Sequence, residues 1–170
     1  DAEFDEGHLV PKALVVVGDN VRPKGQDIQE GAQVLARGQR LRPADLSLLA
    51  SIGKDNAPVY RTLKVAIVST GDELVQPPQA LKPGQIYNSN RYALAALLTQ
   101  MGITVVDMGI VSDDLDVTLV ALARAAKQAD VIICSGGVSV GDRDFVKEAV
   151  TQLGALDVWK LAIKPGKPMA

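Results

Sequence analysis

The sequence predicts an α/β protein with a doubly wound, mostly parallel sheet in three layers, preceded by fragments of a β-rich and helical N-terminal region. Three observations support this prediction. From about residue 61 onward, short β-branched apolar runs alternate with segments of helical periodicity. Aromatic residues make up only 4% of a chain that is 47% hydrophobic, which favours parallel strands covered on both faces. Polar and glycine residues cluster directly after the apolar runs.

The length of the chain predicts its division into domains. Its 170 residues suffice for one domain of about 100 to 150 residues and an appendage. We therefore expect a partial N-terminal region at 1–60, the remnant of a β-rich module plus a short helix, and an α/β domain at 61–170, truncated at its C-terminal end. The chain begins at Asp1 rather than Met and ends just after a Lys-Pro-Gly-Lys-Pro segment, so we expect a fragment of a larger protein.

Two elements are predicted in the N-terminal region. A leucine and valine run at 14–17 predicts a short strand, followed by a turn and a polar, glycine-punctuated stretch at 21–38. Pro43 opens and Gly53 closes an apolar segment, and this order of proline and glycine is typical of a helix.

The α/β domain is predicted to follow the order β-α-β-α-β-α-β. Its strands are expected at 65–68, 103–106, 131–134 and 158–163. Its helices are expected at 91–101, 115–126 and 145–153. Asn88-Ser89-Asn90 offers N-cap candidates for the first helix, and Gly102 ends it. Right-handed crossovers then place the carboxyl ends of the strands along one edge, where such sheets bind ligands.

Composition argues against several function classes. The net charge is −2 and no block of Lys and Arg is present, so nucleic-acid binding has no support. Cys134, the single cysteine, lies in an apolar run and is expected to be an inert core residue, and His8 has no second His or Cys nearby. No apolar run approaches the ~18 residues of a membrane span and no signal peptide is evident, so a soluble cytoplasmic protein is expected.

Four segments rich in polar residues and glycine follow the predicted strands, at 70–73, 112–114, 135–144 and 164–167. They are expected to converge at the carboxyl edge of the sheet. In the last of them, Lys164 and Lys167 lie on a stiff, proline-rich turn that suits a phosphate or another oxyanion. The alternative is that both are ordinary surface lysines.

The segment from Ser135 to Asp144 reads Ser-Gly-Gly-Val-Ser-Val-Gly-Asp-Arg-Asp. Its glycines allow backbone N–H groups to approach an anion, and the following helix adds the positive end of its dipole. The spacing differs from that of dinucleotide folds and of P-loops. The segment therefore predicts a phosphate site of another kind, with a ligand-free glycine-rich connection as the alternative.

The acids in these segments have different expected roles. Asp142 and Asp144 would repel a bare phosphate unless they hold a sugar hydroxyl or a hard cation such as Mg²⁺. Asp114 is expected to cap the helix that starts at 115, which leaves Asp113 for the site. Glu73 follows a buried strand and is also expected in the site, although a solvated loop acid is the alternative.

Four motifs in order resemble those of the molybdopterin molybdenumtransferases, the MoeA and gephyrin E-domain family. They are Ser69-Thr70-Gly71-Asp72-Glu73-Leu74, Gly84-Gln85-Ile86-Tyr87-Asn88-Ser89-Asn90, Ser135-Gly136-Gly137-Val138-Ser139-Val140-Gly141-Asp142 and Lys164-Pro165-Gly166-Lys167-Pro168. The resemblance implies a MogA-like, molybdopterin-binding domain. It also implies that molybdate and adenylylated molybdopterin are converted to molybdenum cofactor and AMP with the help of Mg²⁺.

The resemblance assigns roles to individual residues. The implied catalytic and metal-binding acids are Glu73, Asp113 and Asp144. The implied ligand-binding residues are Thr70, Gly71, Ser135, Gly136, Gly137, Ser139, Gly141, Asp142, Lys160, Lys164 and Lys167. The family also implies a homodimer, contacts with other enzymes of molybdenum cofactor biosynthesis, and further N- and C-terminal segments that complete the cleft.

Two alternative functions are considered. A molybdopterin adenylyltransferase shares the Gly-Gly-x-Ser-x-Gly loop and the domain fold, but residues 20–60 and the Pro-Gly-Lys-Pro turn favour the molybdenumtransferase. A non-catalytic scaffold or molybdopterin-binding module is the second alternative, and the presence of Glu73, Asp113 and Asp144 argues against it. The choice between molybdate and tungstate is not encoded in any motif.

Overall fold

The fold was analysed in a computed structural model that describes residues 2–14, 16–136 and 145–157. Its contacts divide the chain into two compact units, Asp1–Tyr60 and Arg61–Ala170. The strand predicted at 158–163 lies outside the described residues.

The N-terminal unit opens with an antiparallel hairpin of β1 (Ala2–Asp5) and β2 (His8–Pro11). Glu6 and Gly7 form its turn with φ of 46° and 83°, which is the backbone that a two-residue hairpin turn requires. This hairpin was not predicted from the sequence, and His8 was not expected to lie in a strand.

The strand predicted at 14–17 is wrong, since its described residues belong to no strand. The Val16 N–H donates to Oδ2 of Asp19 at 2.9 Å, and the Asp19 N–H donates to the Val16 carbonyl at 3.0 Å. These local bonds close a turn in which Val17 is fully exposed. The described residues of the apolar run, 14, 16 and 17, therefore have no partner strand and are all exposed.

The helix predicted between Pro43 and Gly53 is confirmed as α1 (Pro43–Ser51). The Asp45 carboxylate accepts the Arg42 N–H at 2.8 Å and also pairs with the Arg42 guanidinium, which lowers the pKa of Asp45. Gly53, with φ of 75°, donates its N–H to the Ala50 carbonyl and ends the helix.

The second unit alternates strands with helices as predicted. In chain order its main elements are β3 (Lys64–Thr70), α2 (Ser89–Gln100), β6 (Thr104–Val111), α3 (Leu115–Gln128), β7 (Val131–Ser135) and α4 (Phe145–Leu153). A separate parallel pair, β4 (Leu74–Val75) and β5 (Ile86–Tyr87), was not predicted because two-residue strands carry no periodicity.

The three main strands form a parallel sheet in the order β6-β3-β7, with helices on both faces. Ala66 and Val68 of β3 pack against α3 and α4 on one face. Val65 and Ile67, which alternate with them, pack with Leu98 of α2 on the other face. This arrangement confirms the predicted α/β fold with its central parallel sheet.

The topology makes the carboxyl end of β3 the expected place for a ligand. The chain leaves β3 through α2 on one face to reach β6, and it leaves β6 through α3 on the opposite face to reach β7. Connections that diverge in this way open a gap beside the central strand, which is where doubly wound sheets bind ligands.

Candidate functional site

Three of the four predicted segments begin at the carboxyl edge of the sheet. Thr70 at the end of β3 pairs in register with Val111 of β6, and Ser69 pairs with Ser135 of β7. The segments that follow these strands therefore start side by side. The fourth segment, with Lys164 and Lys167, lies outside the described residues.

The segment after β3 is a tight turn that brings Glu73 back over the strand end. The Leu74 N–H donates to the Gly71 carbonyl at 3.1 Å, which places Asp72 and Glu73 at the two central positions of the turn. Gly71 has φ of 140°, and a Cβ there would lie 2.6 Å from Oε2 of Glu73. Only glycine at residue 71 leaves room for the carboxylate in this position.

The segment after β6 is joined to this turn by two hydrogen bonds. The Gly71 N–H donates to the Val111 carbonyl at 3.3 Å. The Asp113 N–H donates to Oδ1 of Asp72 at 3.1 Å. The motif acid Asp113 is thus held next to the turn that carries Glu73.

Asp114 has the capping role that was predicted for it. Its carboxylate accepts the Val117 N–H at 2.9 Å, and its carbonyl accepts the Thr118 hydroxyl at 2.7 Å. The cap of α3 is therefore complete without the carboxylate of Asp113, which is compatible with a role for Asp113 in the site.

The glycine-rich segment begins in direct contact with the end of β3. Gly136 has φ of 100°, and a Cβ there would overlap the Thr70 carbonyl. Thr70 is 3% exposed, and Ser69 is also buried. Neither hydroxyl has a hydrogen-bond partner among the described residues. The strand end thus combines a close backbone approach with buried polar atoms, as a ligand-binding edge requires.

Asn90 is a further residue of this edge that sequence analysis did not assign. Its side-chain amide donates to Oγ of Ser135 at 3.3 Å, which ties the first turn of α2 to the end of β7. Asn88 is the N-cap of α2 and accepts the Arg91 N–H at 3.4 Å. The Asn-Ser-Asn motif was interpreted as a cap alone, and only the register of α2 against β7 reveals its second contact.

An ion pair holds the same turn of α2 onto β6. The Arg91 guanidinium pairs with the carboxylate of Asp107, whose side chain is 34% exposed. Arg91 lowers the pKa of Asp107, and the Gly109 N–H, 3.0 Å from Oδ1, adds to this effect. The pair therefore stays ionised well below neutral pH.

Cys134 of β7 packs against the α3 side of the core. Burial raises the pKa of its thiol to about 11. The thiol is therefore protonated at neutral pH and unsuited to nucleophilic chemistry.

The predicted metal site lies partly within the described residues. Among the described residues, no three His, Cys, Asp or Glu side chains form a group that could hold a metal ion. Glu73 and Asp113, two of the three predicted metal-binding acids, lie on neighbouring segments, but eight predicted site residues lie outside the described ranges. These are Gly137, Ser139, Gly141, Asp142, Asp144, Lys160, Lys164 and Lys167.

Two clefts contain none of the predicted site residues. One of about 1010 Å³ lies within the N-terminal unit, between Gln33 and Tyr60, and contains no predicted site residue. Another of about 320 Å³ borders β4 and is lined by three glutamines and three apolar residues. No described helix has the length and apolarity needed to cross a bilayer.

Two family profiles match this chain. Residues 66–170 match the probable molybdopterin binding domain, and residues 2–53 match the MoeA N-terminal region (domain I and II).

Curated relatives match along nearly the whole chain. A molybdopterin molybdenumtransferase of Haemophilus influenzae is 42% identical over 166 residues, which is 98% of this chain and 41% of the relative. Another from Nostoc is 43% identical over 153 residues, which is 89% of this chain and 35% of the relative. The chain thus spans 35% to 41% of the length of these relatives.

Solved structures show the same likeness. The crystal structure of a molybdopterin biosynthesis MoeA protein from Pyrococcus horikosii aligns with a TM-score of 0.77 at 34% identity, covering 99% of this chain and 42% of that chain. A molybdenum cofactor biosynthesis protein from Pyrococcus furiosus aligns with a TM-score of 0.52 at 30% identity, covering 66% and 36%.

Proposed function

The chain belongs to the family of molybdopterin-binding domains and joins that domain to a MoeA-type N-terminal region, and from this we propose that the protein is a molybdopterin molybdenumtransferase. In this proposal, molybdate and adenylylated molybdopterin are its substrates, and molybdenum cofactor and AMP are its products. The observation that carries the proposal is the convergence of the segments after β3, β6 and β7, with Glu73 and Asp113 on two of them and Gly136 on the third.

Phosphate binding is assigned to the backbone at the end of β7. A Cβ on Gly136 would overlap the Thr70 carbonyl, so a side chain is excluded there and the glycine-rich segment starts close to the end of β3. By motif, Gly137, Ser139 and Gly141 would supply further N–H and hydroxyl donors, with Thr70, Gly71 and Ser135 beside them. Asp142 would accept a hydroxyl group of the ligand.

Mg²⁺ is assigned to Glu73, Asp113 and Asp144. The two acids that the structure describes offer hard carboxylate oxygens on adjoining segments, and Mg²⁺ in phosphate sites commonly takes one or two carboxylates together with substrate oxygens. The donor set therefore fits the ion. When bound, Mg²⁺ would neutralise charge on the phosphoanhydride.

Lys160, Lys164 and Lys167 are assigned to the opposite side of the ligand. Their ammonium groups would stabilise negative charge on the phosphates or on molybdate, while the glycine-rich backbone orients the phosphoanhydride that breaks to release AMP. No covalent intermediate with the protein is part of this proposal, because the reaction needs positioning and charge stabilisation rather than a nucleophile.

The assembly is part of the same proposal. Two domains at 1–60 and 61–170 are supported by the two compact units of the chain. The family resemblance supports a homodimer that works in the cytoplasm with other enzymes of molybdenum cofactor biosynthesis. Sedimentation of the intact protein would test the dimer.

The direct test is release of AMP by the intact protein. Adenylylated molybdopterin is mixed with the protein, and molybdate and Mg²⁺ are then added together or singly. We expect AMP only when all components are present, and we expect Asp144→Ala and Asp113→Asn to lower the rate by at least about tenfold, the usual scale for a lost charge-stabilising contact. No AMP from the unaltered protein, or full activity in Asp144→Ala, would contradict the proposal.

The same assay separates the alternative functions. An adenylyltransferase would consume ATP and molybdopterin and would form the adenylylated compound rather than use it. A non-catalytic module would bind molybdopterin without turnover of either substrate.

A further inference from the structure

We propose that Asp72 is a positioning residue, which holds Asp113 in place by accepting the hydrogen bond of its backbone N–H. The proposal rests on the proposed function, because it concerns how one of the proposed catalytic acids is presented. No motif role was assigned to Asp72, although it lies between Gly71 and Glu73 in the Thr-Gly-Asp-Glu turn.

Asp72 is placed for this role by the turn itself. It occupies the first central position of the turn that the bond from Leu74 to Gly71 closes. Its neighbour Glu73 folds back over Gly71, whereas Asp72 reaches across to the segment after β6. The two adjacent acids thus serve different segments.

Asp113 lies in a two-residue stretch, with Ser112, between two fixed points. Val111 before it accepts the last bond from Gly71, and Asp114 after it is fixed as the N-cap of α3. Its own N–H donates to Oδ1 of Asp72 at 3.1 Å across 41 residues of sequence. This bond therefore couples the backbone that presents the Asp113 carboxylate to the turn that presents Glu73.

The chemistry of the contact distinguishes positioning from direct catalysis. An asparagine at residue 72 retains an Oδ1 acceptor for the Asp113 N–H but has no charge. An alanine removes the acceptor as well. If Asp72 acted through its charge, asparagine and alanine would both be damaging, because both remove the charge.

The test compares Asp72→Asn and Asp72→Ala with the unaltered protein and with Asp116→Ala. Asp116 is the matched control, since it is an exposed acid in the first turn of α3 that is not part of the proposed site. We expect Asp72→Ala to lower kcat for AMP release by about tenfold to a hundredfold, because small displacements of a catalytic group have effects of this size. Asp72→Asn is expected to stay within about threefold of the unaltered protein, since it keeps the acceptor.

Amide hydrogen exchange provides a readout that does not depend on activity. We expect the Asp113 N–H to be protected in the unaltered protein and in Asp72→Asn, and to exchange faster in Asp72→Ala, with Val117 as an internal reference. Equal loss of kcat in both variants, or an unchanged Asp113 exchange rate in Asp72→Ala, would overturn the inference. An unaltered protein that releases no AMP would instead refute the proposed function. The exchange data would still test whether Asp72 holds the Asp113 N–H.

Discussion

At the scale of single residues, the site depends on places where a side chain is excluded. Gly136 and Thr70 lie on adjacent strands, and their backbones approach so closely that a Cβ on Gly136 would overlap the Thr70 carbonyl. Gly71 leaves space for the Glu73 carboxylate in the same way. Both glycines were predicted as ligand contacts, and the structure adds that Gly136 lets two segments pack together while Gly71 leaves room for the acid of its own turn.

Substitution of Gly136 by alanine tests this close approach. We expect Gly136→Ala to lower the free energy of unfolding by about 2–4 kcal/mol, because both the overlap and the positive φ must be relieved. Gly102→Ala is the control, with φ of 77° but open space around it, and should cost about 1 kcal/mol from backbone strain alone. Urea denaturation measures the free energy of unfolding of both variants. Equal losses in the two variants would show that the contact with Thr70 is unimportant.

At the scale of elements, the start of α3 and a bulge in β6 determine where Asp113 lies. Asp114 caps α3 and so fixes where the segment after β6 ends. Within β6, the register against β3 shifts between Ile67 and Ser69, opposite Gly109, which has φ of 80°. A bulge of this kind inserts one residue and moves the rest of the strand forward. It therefore sets where Asp113 meets Asp72.

The different roles of Asp113 and Asp114 lead to opposite expectations. Asp114→Ala should lower the free energy of unfolding by about 1 kcal/mol through loss of the α3 cap, with a smaller effect on AMP release. Asp113→Ala should change stability by less than about 0.5 kcal/mol and strongly reduce AMP release. Thermal denaturation measures the stability of the two variants, and the AMP assay measures their activity. The reverse pattern would contradict the assignment.

The Arg91 and Asp107 pair predicts a dependence of stability on pH. The folded protein lowers the pKa of Asp107 below its ordinary value of 3.8, so the pair stabilises the fold above that pH and loses its effect as the pH falls through the lowered pKa. We expect Asp107→Asn to be less stable by about 0.5–1 kcal/mol at neutral pH, given partial exposure.

Urea midpoints of the variant and the unaltered protein should therefore converge in strong acid. Gly102→Ala, which changes no charge, is the control and should differ from the unaltered protein by the same amount at every pH. A difference that persists unchanged at the lowest pH would mean that the variant acts through packing rather than charge.

At the scale of the whole molecule, the chain consists of two compact units that meet in sequence between Tyr60 and Arg61. Residues 52–63, all of which the structure describes, form no helix or strand. The Arg61 guanidinium pairs with Asp130 at the start of β7, which anchors the beginning of the second unit to its sheet.

Limited proteolysis should detect this division. Tyr60 is 66% exposed in an irregular segment, so we expect chymotrypsin to cut after it first and to leave a resistant fragment that starts at Arg61. Tyr92 is also exposed, but it lies in α2 and should be cut much more slowly. N-terminal sequencing of the first fragments checks this, and early cleavage after Tyr92 would contradict it.

The sequence by itself determined the alternation of buried strands and helices, the ends of α1 and α4, and the cap at Asp114. These features depend on local periodicity, on proline and glycine, and on side chains that bond to nearby backbone, so they can be predicted from neighbouring residues. The strand expected at 14–17 shows the limit of this reasoning, since an apolar run forms a strand only where another strand is available to pair with it.

Only the tertiary structure decided how the segments of the site are joined. The bonds from Asp113 to Asp72 and from Asn90 to Ser135 connect residues 41 and 45 positions apart. They depend on which strands are neighbours and on a register that a bulge in β6 shifts by one residue. Strand order and register cannot be read from the side chains of one strand, because both follow from the packing of the whole sheet.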